Sequence, residues 1–178
     1  MTGSGLVLLC NSKLDTTERR MFIDVIGGTA KKREIAESIA EFSGSELMST
    51  RLAQSLEVNI ELIPGLCDKE GVYGDCVWED DSTRPKEFTI RVDSKMKPRY
   101  IAETVAHEMV HVKQWATGEM KELVRQNKTK FKGELFGDTE YWFRPWEIEA
   151  HGIEKGLFVK WAEATGVSNQ KWTHDNIY

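Results

Sequence analysis

Apolar and polar positions change period twice along this chain. Near the start, Met21, Phe22 and Val25 suggest a helix capped by Asp15 and stopped at Gly27-Gly28. Ile35, Ile39 and Phe42, spaced by four and three, predict a second helix that Gly44 ends; Ser45–Gln54 reads as a further short one. The period then falls to two. Val58, Ile60 and Leu62 alternate with Asn59, Glu61 and Ile63 until Pro64-Gly65, which is a strand signature. Val72–Trp78 is a weaker strand, interrupted by Gly74, and Glu79-Asp80-Asp81 with Pro85 marks a loop. Phe88, Ile90 and Val92 alternate with Thr89 and Arg91, as in a half-buried strand of an antiparallel or mixed sheet.

From Pro98 the helical period returns and holds to Ala116, with proline suited to a first helical turn. The polar segment Gly118–Arg144 reads as a loop, long enough to be uncommon unless it is functional. Pro145 opens a last strong helix to about Thr165. Beyond it lies a tail, Gly166–Tyr178, whose Trp172 and Tyr178 can pack back on the body. Helices, then strands, then two long helices argue for an α+β domain. The expected division is one domain over 1–178: a helical N-terminal part to residue 55, a core over 56–165 and the tail 166–178.

Composition narrows the class. At 178 residues, with 40% hydrophobic and 30% charged residues, the chain can bury the core of one globular domain. A formal net charge of -5 argues against a general nucleic-acid binder. Lys128, Lys130 and Lys132 read as a solvated loop. Three cysteines, Cys10, Cys67 and Cys76, form no C-x-x-C pair, so free thiols are expected rather than a Cys67–Cys76 bridge. The apolar run Leu6–Cys10 follows no basic residue and is short for a signal peptide. No stretch approaches the roughly 20 apolar residues of a membrane span. A soluble protein of a reducing cytoplasm is the expectation.

Chemistry enters at His107-Glu108-Met109-Val110-His111, an H-E-x-x-H sequence inside the predicted helix. Residues four apart share one helical face, so both imidazoles can reach one ion. Catalytic zinc takes three protein ligands and a water, and Glu108 lies where a carboxylate can take a proton from that water as it attacks a carbonyl. At about 100° per residue, Ile101, Val105, Met109, Val112 and Ala116 fall on one apolar stripe and the two histidines fall outside it. The bland alternative is a chance match on an exposed helix, and the separated faces argue against it.

A third ligand is needed. The cysteines have no supporting spacing, and His174 reads as a surface histidine in the tail. Pro145-Trp146-Glu147-Ile148-Glu149-Ala150-His151 offers Glu147, Glu149 and His151. Trp146, Ala150, Ile153, Leu157 and Trp161 define the buried stripe of this helix. Glu147 lies at its edge with His151 and Glu154 below, while Glu149 points further towards solvent. Glu147 is therefore the expected ligand. His151 is expected to orient a ligand or to be the ligand itself, and Glu149 is a further alternative. Tyr141, beside Trp142, Phe143 and Trp146, is a candidate to steady an oxyanion. Imidazole and carboxylate ligands suit a single zinc ion.

H-E-M-V-H in one helix followed by a glutamate-bearing second helix resembles the gluzincin metallopeptidases, in particular their smallest single-domain members. The fuller text, His107 to Trp115 and then Pro145 to His151, is similar to small metallopeptidases encoded by bacteriophages and bacteria. In that family the first glutamate of the second helix binds zinc, and the residue four later, often Asp or Asn, supports a ligand histidine. This chain has His151 there, a departure. The resemblance covers roughly Val58 to Ala164. It implies a zincin-like fold with a twisted sheet on the active-site helix, and an edge strand, expected at Phe88–Val92, that pairs with an extended peptide.

The expected function is hydrolysis of peptide bonds in a peptide or protein substrate by a zinc metalloendopeptidase-like enzyme, with no membrane partner. The alternative is a catalytically silent zinc-binding regulatory or protein-interaction module of the same fold. A further variant has the domain inhibiting or processing one partner, with Gly118–Arg144 setting selectivity. An intact Glu108, which a purely structural site does not need, favours catalysis.

Overall fold

The computed structural model of the chain describes residues 20–174. Its main sheet has the order β1 (Phe22–Gly27), β2 (Glu57–Ile63), β4 (Glu87–Asp93), β3 (Gly74–Trp78). β1, β2 and β4 are parallel, and β3 returns antiparallel on the outside of β4. Among the described residues five α-helices accompany it: α1 (Ala30–Leu47), α2 (Thr50–Ala53), α3 (Leu66–Glu70), α4 (Pro98–Ala116) and α5 (Pro145–Ala164). The α+β class expected from the element order therefore holds.

The core forms where the two periodicities meet. Val58, Ile60 and Leu62 of β2 and Phe88, Ile90 and Val92 of β4 are buried in one cluster with Ile101, Val105, Met109 and Val112 of α4. Helix α4 runs through the middle of the molecule, packed against α1, α5, β3 and β4, so its histidine face is buried as well as its apolar stripe. Among the described residues no helix is long and apolar enough to cross a membrane.

Three expectations change. First, Phe22–Gly27 is a strand, not a helix. Its real pattern has period two: Ile23 and Val25 turn towards the core while Phe22, Asp24 and Ile26 are exposed. Parallel pairing with Glu57–Leu62 supplies its backbone partners, and β-branched residues suit it. Gly27-Gly28 is the turn from this strand into α1. Both have positive φ, and a Cβ at Gly27 would lie 2.3 Å from the carbonyl oxygen of Leu62. Helix α1 continues past Gly44, which is buried beneath the Met21 side chain, and only the single turn α2 follows it.

Second, Gly118–Arg144 is not a loop. It holds an antiparallel sheet of β5 (Met120–Leu123), β6 (Lys128–Phe131) and β7 (Glu134–Phe136). Met120 and Phe131 are buried, and Phe131 and Phe136 set their ring edges on Trp146 at 6.0 and 5.9 Å. Lys128 and Lys130 lie on the solvated side of β6. Third, Phe88–Val92 is not an edge. Strand β4 is flanked by β2 and β3, and the free edge next to α4 belongs to β3. Alternation reports burial of one face and is blind to the number of neighbours.

The remaining expectations are simpler. Cys67 and Cys76 are free thiols. Trp172 packs on Trp161 at 6.1 Å, and Arg99 donates to the Thr173 carbonyl at 3.0 Å, so the described tail does dock. His174 is exposed and bonded to the Ser168 carbonyl. Leu6–Cys10, Asp15 and Tyr178 lie outside the described residues.

Strand β3 can approach α4 closely because position 74 has no side chain. A Cβ there would lie 2.4 Å from Thr104 Cγ2 and 3.2 Å from both Glu108 Oε1 and the Arg91 carbonyl oxygen. Gly74→Ala is expected to destabilise the fold by about 1–3 kcal/mol through overpacking. Adding Thr104→Ser should recover part of that loss. Thermal melts followed by circular dichroism test this, and an unchanged melting temperature would contradict the close approach.

Candidate metal centre

The H-E-x-x-H residues occupy the middle of α4, where packing on every side fixes their rotamers. His107 and His111 present Nε2 atoms 3.2 Å apart. Helix α5 crosses α4 with its first turn at this point. Pro145 opens it, the Arg144 carbonyl accepts from the Glu147 amide at 3.0 Å, and Glu147 projects between the two rings. Its Oε2 lies 3.5 Å from His107 Nε2 and 3.4 Å from His111 Nε2. Two imidazoles and one carboxylate thus converge, all buried.

The triangle can be tested against a metal. Ligands about 2.0–2.1 Å from a tetrahedral zinc lie about 3.3–3.4 Å from one another. The observed sides of 3.2, 3.4 and 3.5 Å are of that size, so the three atoms could hold one small cation. Glu147 Oε2 is shielded from solvent yet makes no standard hydrogen bond, which is costly unless a cation faces it.

The surroundings fix the tautomers. Gln114 Nε2 donates to the Trp146 carbonyl at 3.1 Å, so its Oε1 is the acceptor facing His111 Nδ1 at 2.8 Å. His111 therefore carries its proton on Nδ1. His107 Nδ1 donates in the same way to Glu154 Oε2 at 2.8 Å. Both Nε2 lone pairs are left aimed at Glu147 Oε2, and three lone pairs converge on one point. In the metal-free chain protons relieve this. Burial opposes charge on His107, but the nearby Glu147 carboxylate and the bond to Glu154 prevail and push its pKa up to about 10. His111 is raised despite its burial, through Glu147. Burial also works against ionised Glu147, and the two histidines more than offset it, holding its carboxyl well below the usual range.

Glu108 lies beside the triangle and is not part of it. Buried next to Gly74, its carboxyl is pushed up to about 7 by desolvation, which His111 and His107 only partly oppose. A carboxylate poised there can exchange a proton near neutral pH. Cys76 is not among the converging atoms. Burial, with Glu108 nearby, keeps its thiol protonated.

The expected residues divide clearly. His107, His111 and Glu147 come together, with Glu108 beside them. Glu149 does not join them: its carboxylate is held by Lys113 Nζ at 3.0 Å and by Lys132 Nζ. His151 stands behind His107, rings 4.4 Å apart, with Nδ1 3.2 Å from Glu154 Oε2. Tyr141 places its hydroxyl 3.3 Å from His151 Nε2 and against the Glu147 carboxylate. The roles of two residues escaped the sequence reading. Glu154, two turns after Glu147, carries the supporting role expected at position 151. Gln114, one turn after His111, supports the second ligand. Helical spacing from the ligands was the available signal for both.

The chain matches no family model, no curated protein and no solved structure.

Two outcomes follow. A metal must displace the proton that His107 holds below about pH 10. His111 is raised as well, so metal affinity, read with zinc, is expected to rise at least about tenfold per pH unit from pH 6 to 9, and to fall as pH falls. Chelator competition across that range checks it, and a flat profile would contradict the proton count. In the same assay Glu154→Ala is expected to weaken zinc binding about 10–100-fold, and Glu154→Gln, which keeps an acceptor for Nδ1, by less.

Proposed function

We propose that this chain is a zinc-dependent peptide hydrolase with a zincin-like arrangement of the gluzincin type. One observation carries the reading: a buried carboxylate, Glu108, beside the convergent His107–His111–Glu147 triangle and not part of it. A metal held only for structure has no use for that carboxylate.

His107, His111 and Glu147 would hold the metal. When bound, zinc polarises a carbonyl and makes water more acidic. The rest of the chemistry belongs to the chain. Glu108 accepts a proton from the water that attacks the peptide carbon and returns it to the nitrogen as the C–N bond breaks, so a free carboxylate and amine leave. Tyr141, whose hydroxyl lies against the Glu147 carboxylate, would donate it to the oxyanion. Burial and the charge on Glu147 raise its pKa, so it stays a donor. Gln114 and Glu154 hold the ligand rings against rotation.

The substrate strand pairs with β3 instead of β4. Tyr73 accepts from Asp93, and Glu79 donates to Glu87, so the odd-numbered residues of this strand bond to β4. The N–H and C=O groups of Gly74, Cys76 and Trp78 then point to the open edge. A peptide added there runs beside Glu108 by β-augmentation.

The second reading is a silent zinc module. It is favoured by enclosure, since the three ligands and Glu108 are each less than a tenth exposed. Glu108→Gln separates the two. The hydrolase reading expects unchanged zinc content and a loss of about 10²–10⁴-fold in turnover of a peptide library. Full zinc occupancy without any cleavage by the unaltered chain would favour the module.

A further inference from the structure

A histidine at position 151 brings a second donor set to the far side of the His107 ring. His151 and Glu154, three apart on α5, share the helical face turned to His107. Glu154 Oε2 lies 2.8 Å from His107 Nδ1 and 3.2 Å from His151 Nδ1. The three residues offer ligand atoms within 4.8 Å of one another. One edge of the His107 ring therefore faces His111 and Glu147, and the other faces His151 and Glu154. Among the described residues no lysine or arginine pairs with Glu154, so imidazoles alone meet its charge. This second set opens to water where the first is enclosed, for the His151 side chain is 35% exposed.

We propose that His107, His151 and Glu154 form a second, weaker site for a divalent cation, with the His107 ring shared between two ions. The inference rests on the metal reading of the first triangle, on which the hydrolase proposal depends, and adds control by excess metal to it. Two imidazoles and one carboxylate suit zinc or a similar late first-row ion better than magnesium or calcium. The Tyr141 hydroxyl, 3.3 Å from His151 Nε2, can accept from that nitrogen, which leaves His151 Nδ1 free as a ligand. The Glu154 carboxylate must withdraw from His107 by about half an ångström, since tetrahedral ligands stand about 3.3 Å apart. A neutral imidazole has one lone pair, and the first ion uses it at Nε2. The second ion therefore displaces the Nδ1 proton to solvent, and the ring becomes a bridging imidazolate. That step, with the repulsion between two cations, makes the second ion the weaker one. An anionic ring also lowers the acidity that the first ion lends to water, so excess metal slows hydrolysis.

The test is equilibrium dialysis of the full chain against rising free zinc, with bound zinc counted by elemental analysis. The unaltered chain is expected to take up one ion, and then a second at a free zinc concentration at least about tenfold higher. His151→Phe keeps a ring between Trp142 and His107 and removes the ligand nitrogen. It is expected to take up the first ion as before and no second one, and His151→Ala should do the same. A plateau at one ion in the unaltered chain overturns the second site and leaves the hydrolase reading standing. A second ion that persists in both variants lies elsewhere and overturns it equally. If the unaltered chain binds no zinc at all, the hydrolase reading falls together with the second site.

Discussion

Three lone pairs pointed at one buried spot repel one another unless a cation lies between them. His107 Nε2, His111 Nε2 and Glu147 Oε2 are held in that relation, 3.2–3.5 Å apart. Much of the structure around them can be understood as maintaining it. Gln114 and Glu154 take the Nδ1 protons, which removes the freedom to turn a ring and escape. Dense packing of α4 removes the freedom to move the helix. Protons can serve as the cation, and the Glu147 carboxylate favours them on both histidines, but a divalent metal answers all three groups at once.

The third corner depends on α5, and α5 is held by what surrounds its first turn. Glu149 binds Lys113 of α4 and Lys132 of the β6–β7 turn, and Lys113 also binds Glu119 at 2.7 Å. Trp146 is buried against Phe131 and Phe136, and its carbonyl accepts from Gln114. The small sheet therefore acts on the centre indirectly, by fixing where Glu147 stands. Glu147 and Glu149, two residues apart, diverge as a helix requires: one faces the histidines and the other the lysines.

Much of the centre was legible in the sequence because helical geometry is local. The i, i+4 spacing of His107 and His111 and the stripe analysis of α5 are enough to select Glu147 over Glu149. Local geometry fails where a tertiary partner decides. Phe22–Gly27 carries an apolar spacing compatible with a helix, and only pairing with β2 makes it a strand. Residues 118–144 hide three short strands because their outer positions are polar and their buried residues, Met120 and Phe131, are few. The edge role of β3 depends on strand order, which alternation does not encode. Glu154 stands at readable helical spacing, but its pairing with His107 depends on how α4 and α5 cross.

The central claim is that these three side chains bind one metal ion. Zinc-edge X-ray absorption on the zinc-loaded chain tests it most directly. The account predicts a four-coordinate ion with two imidazoles and light ligands at about 2.0–2.1 Å and no sulfur. A shell at about 2.3 Å from sulfur, or an ion without imidazole scattering, would place the metal elsewhere and contradict the account.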